Sequence, residues 1–183
     1  MTQGSTGEGG DDALGLAPGA LRLVPHRPAW RALYAAEAGR IAEALAGIPH
    51  IVAHLGSTAV PDLPAKPILD IGLAVAAPDE DRAALTLTGI GWIDRKRRPG
   101  GGGRLLIRTR DGLRTHNLHV WEPADPEWRD QRDFVAALTA DPAHRAAYAA
   151  AKAALIAGGT PRAAYADAKG PAIRAILAAW RAR

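Results

Sequence analysis

The stretch HLGSTAVPDLPAKPILDIG, residues 54–72, decides how this chain folds. An apolar run over residues 50–55 ends in a Gly-Ser-Thr turn, and a second run, rich in Ile, Leu and Val, covers residues 67–77. Short apolar runs bounded by turn residues are typical of strands. A regular helix between them is prevented by three prolines, Pro61, Pro64 and Pro67. The sequence therefore predicts two strands joined by a rigid loop.

Hydrophobic periodicity predicts further elements on both sides of this stretch. Apolar residues recur every three or four positions over residues 28–45, which indicates an amphipathic helix. The later pattern predicts a helix over 79–88, an edge strand over 91–95, a Gly-rich turn over 99–103, strands over 104–110 and 114–121, and helices over 128–139, 142–157 and 161–181. Asp141 and Thr160 each precede a proline and are the expected N-caps of the last two helices.

Length and composition favour one domain. The chain has 183 residues, of which 48% are hydrophobic, enough for a core without covalent cross-links. Residues 1–19 are rich in Gly, Thr and Asp and lack apolar periodicity, so we expect a disordered tail there. The domain then spans 20–183, with a sheet core over about 20–122 and C-terminal helices over about 126–182.

Charge and cysteine content narrow the classes of partner. The chain has no cysteine, which excludes disulfides, thiolate metal sites and cysteine nucleophiles. A net charge of +4 favours anionic partners such as nucleotides or phosphates. The first residues show no basic leader, and no run approaches the roughly 20 apolar residues of a membrane span. We expect a cytoplasmic protein without a membrane partner.

Arginines concentrate between residues 95 and 114, where they could steer a polyanion to the edge of the sheet. No aromatic residue is interleaved among them, so bases would have no side chain on which to stack. A solvated hairpin is the preferred interpretation, and we do not expect nucleic acid to bind.

The stretch over residues 54–72 resembles the signature of the GrpB family, His-Ile-Gly-Ser-Thr-x-Val-Pro-Gly-Leu-x-x-Lys-Pro-x-Ile-Asp. Further matching pieces occur in the family's order before and after it, namely residues 23–26 with Trp30, residues 118–120, residues 132–134, Tyr148 with Lys152, and Lys169. The resemblance covers about residues 21–180. It implies an α/β (α+β) domain of the nucleotidyltransferase-like superfamily, in which a mixed β-sheet is flanked by helices and the C-terminal third is helical.

The same resemblance implies a phosphate site around Gly56, Ser57, Thr58 and Asp70. Gly56 has no Cβ, so its backbone can approach a phosphate, and the hydroxyls of Ser57 and Thr58 can donate to its oxygens. Asp70 would hold a divalent metal, Mg²⁺ or Mn²⁺, that bridges phosphate oxygens of ATP or another nucleoside triphosphate. Lys66 would neutralise a phosphate as a point charge.

One position departs from the nucleotidyltransferase pattern. These enzymes usually carry a second carboxylate two residues after the first, because side chains at i and i+2 share one face of a strand. That position is Gly72 here. His119, on a strand expected beside Asp70, is the leading substitute as metal ligand or general base, and Glu122 and His116 are weaker candidates. A carboxylate with an imidazole would favour a transition metal over Mg²⁺.

Five more side chains are candidate substrate contacts: His54, Arg132, Tyr148, Lys152 and Lys169. Tyr148 precedes Lys152 by one helical turn, and Tyr165 precedes Lys169 in the same way, so each pair shares a helix face. The alternative is amphipathic packing with both lysines extending into water. His54 has a structural alternative, a hydrogen bond to backbone near the loop.

The preferred hypothesis is a small-molecule nucleotidyltransferase-like enzyme that transfers a nucleotidyl group or activates an acceptor, with Asp70, His119 and Lys66 as catalytic residues. One alternative is a non-catalytic module that binds a nucleotide or phosphometabolite. Another is a different reaction, such as cyclisation or amide formation, in the same cleft. Structural alternatives stay open for each residue: an ordinary turn at Gly56, an ion pair for Asp70 with Lys66 or an arginine, and a structural histidine at His119.

Overall fold

The computed structural model describes residues 14–97 and 103–183. Eleven helices and strands follow in the described ranges: α1 (Ala29–Ala44), β1 (His50–Leu55), β2 (Leu69–Val75), α2 (Glu80–Gly89), β3 (Ile93–Arg97), β4 (Arg104–Arg110), β5 (Leu113–Trp121), α3 (Pro126–Ala140), α4 (Pro142–Ala157), α5 (Tyr165–Ala168) and α6 (Gly170–Arg181). Every predicted strand is present. The predicted loop between β1 and β2 contains one 3₁₀ turn, Ser57–Ala59.

The five strands form one mixed sheet in the order β1-β2-β5-β4-β3. β2 and β5 are parallel, whereas the other neighbours pair antiparallel. In the β2–β5 register Asp70 lies opposite Asn117, and Gly72 lies opposite His119. The predicted α+β fold, a mixed sheet flanked by helices with a helical C-terminal third, is confirmed.

The two faces of the sheet have different contents because successive side chains of a strand alternate between them. The face that we call the core face packs against α1 and α2 through a large apolar cluster that includes Ile71, Leu118, Trp30 and Leu87. The opposite face, which we call the site face, carries Asp70, Gly72, Asn117, His119 and Trp121. Its apolar contacts are a small cluster of Leu55, Ala74, Trp121 and Trp128.

The C-terminal helices largely follow the prediction. Asp141 caps α4 as expected, since its carboxylate accepts from the backbone N–H of Ala143 at 2.8 Å and of His144 at 3.4 Å. The helix predicted over 161–181 is wrong as one element, because it divides into α5 and α6, and Thr160 caps neither. Pro171 lies in the first turn of α6. A proline lacks the N–H of a helix interior and disfavours helical geometry in the residue before it, so the chain restarts a helix there.

The predicted disordered tail, residues 1–19, is described only from residue 14. Leu16 is buried and forms a β-bridge with Arg114, with N–H to O distances of 2.9 and 3.0 Å in the two directions. Gly15 donates to the carbonyl of Pro67 at 2.8 Å. Ordered structure therefore begins before residue 20, because one apolar side chain and its backbone bonds hold the segment. Residues 98–102, most of the predicted Gly-rich turn, lie outside the described ranges, as do residues 1–13.

A helix that crosses a bilayer must be both long and apolar. Across residues 14–97 and 103–183, no helix meets both requirements.

Candidate functional site

A cavity of about 290 Å³ lies between the site face and the C-terminal helices. It brings together nine predicted site residues that are up to 113 positions apart along the chain: Gly56, Ser57, Thr58, Lys66, Asp70, His119, Tyr148, Lys152 and Lys169. The sheet supplies the floor, the Gly-Ser bend one side, and α4 with the segment around α5 the other. The cleft expected beside the bend is therefore present.

Gly56 has a structural reason to be glycine. Its φ is 65°, a region that residues with a Cβ rarely adopt, and an added Cβ would lie 2.5 Å from Oδ2 of Asp70. The 3₁₀ turn then directs Ser57 toward the cavity and buries Thr58, whose Oγ1 lies 3.0 Å from Nε2 of His54. The bend thus holds the Asp70 carboxylate directly against the backbone next to Ser57.

Asp70 is positioned by a neighbour that the sequence analysis did not identify. Nδ2 of Asn117 donates to Oδ1 of Asp70 at 2.8 Å across the β2–β5 pair. No salt bridge to Lys66 or to an arginine forms among the described residues, so the structural ion-pair alternative is not observed. The Asp70 carboxylate instead lines the cavity.

The position of the usual second carboxylate is filled by apolar atoms. A Cβ on Gly72 would lie 2.5 Å from Cδ1 of Leu55 and 2.5 Å from Cζ3 of Trp128. His119, opposite Gly72, has its ring stacked on Trp121 with 5.3 Å between centroids. Within the described ranges no group of three or more His, Asp or Glu side chains is arranged to hold a metal. These residues do not fit the two-carboxylate metal site of nucleotidyltransferases, and metal binding by Asp70 and His119 stays a prediction.

Lys152 is the most deeply buried cation of the cavity, with only 1% of its surface exposed. Its Nζ donates to Oγ of Ser57 at 3.0 Å and to the carbonyl of Pro64, and it lies 4.9 Å from the centre of the Tyr148 ring. Burial, and after it the positive charges of Lys169 and Lys66, together lower the pKa of Lys152 to about 7. The alternative that this lysine extends into water is wrong.

Lys66 and Lys169 approach the same aromatic ring. Their Nζ atoms lie 5.7 Å and 5.1 Å from the centre of Tyr165. Burial lowers the pKa of Lys66 to about 8, against the raising effect of Asp70. Burial likewise lowers the pKa of Lys169, again opposed by Asp70. The cavity therefore carries more positive than negative charge in surroundings that solvate charge poorly.

A family model described as GrpB protein matches residues 20–179. The chain belongs to the GrpB family. It is 36% identical to a UPF0157 protein of Streptomyces coelicolor over 148 residues, which is 80% of this chain and 74% of that protein. It is 34% identical to a UPF0157 protein of Halalkalibacterium halodurans over 133 residues, 72% of this chain and 67% of that one.

Two further comparisons extend the GrpB assignment. A UPF0157 protein of Pseudomonas aeruginosa is 38% identical over 106 residues, 55% of this chain, but the match spans only 43% of that relative. The crystal structure of the conserved protein GrpB from Enterococcus faecalis superposes with a TM-score of 0.74 at 24% identity, covering 87% of this chain and 99% of that one. The mixed sheet with its C-terminal helices is thus the GrpB fold.

Two predicted substrate contacts of this GrpB family member lie away from the cavity wall. His54 points to the core face, where its ring stacks on Tyr34 at 4.4 Å and burial lowers its pKa to about 4. The guanidinium of Arg132 lies 5.3 Å from the centre of the Trp128 ring. Of the weaker metal candidates, His116 lies on the core face beside Trp92 and Glu122 is exposed.

The structure adds residues that the sequence analysis did not assign to the GrpB site. Asn117, Tyr165, Arg114 and Arg162 line the cavity with the predicted set. Tyr165 is 1% exposed, and its hydroxyl has no hydrogen-bond partner among the described residues. For Asn117 the alternation of β5 was an available signal, since residues 117 and 119 share a face. No comparable signal pointed to Arg162.

Proposed function

We propose that this GrpB family member is an enzyme that binds a nucleotide or another phosphorylated small molecule in the cavity and transfers its phosphoryl or nucleotidyl group to an acceptor. The observation that carries the proposal is the set of poorly solvated lysines, Lys66, Lys152 and Lys169, which form no salt bridge with any described carboxylate. Burying an unpaired charge costs several kcal/mol unless a counter-charge arrives or the group loses its proton. An anionic ligand supplies that counter-charge.

We assign distinct roles around such a ligand. Lys66 and Lys169, which flank the Tyr165 ring, would neutralise phosphate oxygens. The Ser57 hydroxyl faces the same space at the bend. Asp70, held by Asn117, would accept a hydrogen bond or a proton from the acceptor group. The volume of about 290 Å³ matches the lower end of ligand pockets, about 300 Å³, so it suits a small phosphorylated molecule or the phosphate end of a nucleotide.

No step of this proposal passes through a metal ion. A divalent cation would supply further charge neutralisation at the phosphates, and Asp70 would be the residue to hold it. Because Leu55 and Trp128 occupy the position of a second carboxylate, a nucleotide would bind here chiefly through lysines.

A thermal-shift series tests the proposal. The ligands are ATP, GTP and inorganic pyrophosphate, each with and without Mg²⁺ or Mn²⁺, and the variants are Lys66→Met, Asp70→Asn and His119→Ala. A ligand at a hundred times its Kd stabilises the wild type by about 2.7 kcal/mol, a rise of several degrees in Tm. Lys66→Met should lose most of that rise. The matched control is Lys96→Met, because Lys96 is 77% exposed and pairs with Asp94 far from the cavity.

The outcomes distinguish the possible functions. If the ligand raises the Tm only with metal, and the rise is lost in Asp70→Asn, the result supports a metal-assisted transferase. If the ligand raises the Tm equally with and without metal, the result supports the lysine site alone. If no phosphorylated ligand raises the Tm, or Lys66→Met and Lys96→Met respond alike, the proposal fails.

A second candidate, a non-catalytic binding module, is favoured by the apolar filling at Gly72. It predicts the same thermal shifts without conversion of the nucleotide. Incubating the protein with ATP and a mixture of acceptor metabolites, then searching for released pyrophosphate or ADP, distinguishes the two.

A further inference from the structure

Ser57 and Lys152 form a contact that simple ligand binding does not require. Nζ of Lys152 lies 3.0 Å from Oγ of Ser57, although the two residues are 95 positions apart. Both side chains line the cavity, Ser57 at the bend and Lys152 on α4 with 1% of its surface exposed. A cavity-lining serine whose hydroxyl contacts a buried amine is the arrangement of a serine nucleophile and its general base.

The surroundings of Lys152 favour the neutral amine, which is the form that can accept a proton. The pKa of Lys152 is lowered to about 7, chiefly by burial, so near neutral pH a large fraction of the amine carries a free lone pair. One N–H is directed to the Pro64 carbonyl, which orients the group. The lone pair can then face the Ser57 hydroxyl. A lysine that only tied α4 to the bend would be expected to keep its charge beside a carboxylate.

The charged and titratable groups around this pair come from several segments of the chain. Lys66, before β2, and Lys169, between α5 and α6, each lower the pKa of Lys152. Tyr148, one turn earlier on α4, hydrogen-bonds to Ser57, and its pKa is raised by burial and by the nearby Tyr165 and Asp70. Asp70 is not among the groups that shift the pKa of Lys152. The amine is therefore surrounded chiefly by cations and phenols.

We propose that Ser57 is a nucleophile that takes up the transferred group as a phosphoester before it reaches the acceptor, with Lys152 as its general base. This deepens the proposed function and rests on it, because the electrophilic phosphorus must lie beside the bend. Oγ of Ser57 forms a bond to phosphorus while the bond from phosphorus to the leaving phosphate oxygen breaks. The leaving oxygen keeps the electron pair, and the Ser57 proton passes to Nζ of Lys152.

The second step reverses these roles. The acceptor hydroxyl, or water, attacks phosphorus, and the bond from phosphorus to Oγ breaks. Lys152 returns its proton to Oγ, and the proton of the attacking oxygen passes to the Asp70 carboxylate and from there to solvent. Lys66 and Lys169 stabilise the negative charge of the transferred group in both steps.

A small alkyl fluorophosphonate tests the nucleophile without any knowledge of the natural ligand, since serine displaces fluoride from its phosphorus. The chain contains two serines, Ser5 and Ser57, so peptide mass spectrometry assigns an adduct unambiguously. We expect a single adduct on Ser57 in the wild type, the same rate in Ser5→Ala and none in Ser57→Ala. Lys152→Met should label at least about 100-fold more slowly, the usual contribution of a general base.

The pH profile of the wild type keeps the test informative even if Lys152→Met does not fold, which circular dichroism would show. The labelling rate should rise with pH and level off above a midpoint near pH 7, as the amine loses its proton. An unlabelled Ser57, a rate that shows no midpoint near neutral pH, or a folded Lys152→Met that labels like the wild type would overturn the inference. Phosphorylated ligands that raise the Tm while Ser57 stays unlabelled would refute the nucleophile and leave the binding site intact.

Discussion

The cations on the two faces of the sheet differ in their partners. On the core face, Nη1 of Arg108 lies 2.6 Å from both carboxylate oxygens of Glu37, and Nη2 of Arg104 lies 2.6 Å from Oδ2 of Asp94. On the site face, Lys66, Lys152 and Lys169 contact aromatic rings, a hydroxyl and a carbonyl. Both sets are largely withdrawn from water, yet among residues 14–97 and 103–183 only the arginines of these two sets have carboxylate partners.

This difference separates a charge that is paired within the fold from one that is not. A guanidinium keeps its charge and pairs rigidly with a carboxylate, so it stabilises the fold at one geometry. A lysine without a carboxylate can lose its proton or accept an anionic ligand, and it therefore responds to pH and to binding. The sheet thus carries arginine–carboxylate pairs on one face and a cavity with unpaired lysines on the other.

The largest expected effect comes from placing the missing carboxylate on the site face. Gly72→Asp would push a charged side chain into Leu55 and Trp128, so we expect a loss of at least about 4 kcal/mol in the free energy of unfolding, measured in urea. Gly39→Asp is the control, because Gly39 is exposed and a Cβ there meets nothing within 4 Å. A Gly72→Asp protein as stable as the wild type would contradict the packing argument.

Breaking a core-face pair should cost slightly less. Glu37→Gln leaves the Arg108 charge without its carboxylate in a poorly solvated site, and we expect about 3 kcal/mol of destabilisation. Arg40→Ala, which removes an exposed partner 3.5 Å from the same Glu37, should cost less than about 1 kcal/mol. Lys66→Met on the site face should cost little or stabilise the ligand-free protein. If Glu37→Gln and Lys66→Met lowered the free energy of unfolding equally, the proposed difference between the two faces would be wrong.

Asn117→Asp sharpens the comparison by adding a carboxylate where the cavity has room. It would replace the amide that donates to Asp70 at 2.8 Å with a like charge, at a cost of about 2 kcal/mol without metal. Two carboxylates at this distance are a ligand pair for a divalent cation. Adding Mn²⁺ should therefore restore the Tm of Asn117→Asp but not that of Asn117→Ala. No response to Mn²⁺ in the aspartate variant would count against a metal-competent position for Asp70.

The smallest expected effect, taken per pH unit, is the pH dependence of stability. The pKa of Lys152 is about 7 in the folded protein, against the ordinary lysine value of 10.5, so between these values the unfolded chain binds more protons. The free energy of unfolding should then rise with pH above 7, on the order of 1 kcal/mol per pH unit, in the ligand-free protein. The rise should be smaller in Lys152→Met and in wild type saturated with pyrophosphate. The arginines of the core face stay charged throughout, so a fall in stability from pH 7 to 9 would contradict this account.

Much of the fold was predictable because its signals are local. The apolar runs of β1 and β2, the breaks at Pro61, Pro64 and Pro67, and the Asp141 cap each depend on neighbours within a few residues. The split between α5 and α6 was missed although Pro171 marks it, because the apolar period continues across the break. Leu16 was missed for another reason, since its partner Arg114 lies almost a hundred positions away.

The candidate site shows the same division. The residues of the bend and Asp70 stand out in the sequence because glycine, hydroxyls and a carboxylate follow one another within one motif. The partners of these residues do not stand out in the sequence, because Asn117 reaches Asp70 only through the β2–β5 register. The structure adds a second reason for glycine at position 56, the Asp70 carboxylate packed against it, and the close approach to a phosphate stays a prediction.

The sequence by itself determined the strands and most helices, and it predicted an anionic partner and the motif at which it would bind, since each depends on composition or on spacing within a few turns of chain. Only the tertiary structure decided that Trp128 closes the position beside Gly72 and that Lys152 reaches Ser57. Both outcomes come from docking the C-terminal helices on the sheet. Such contacts depend on how surfaces that are far apart along the chain pack together, and local sequence patterns do not indicate which side chains will meet there.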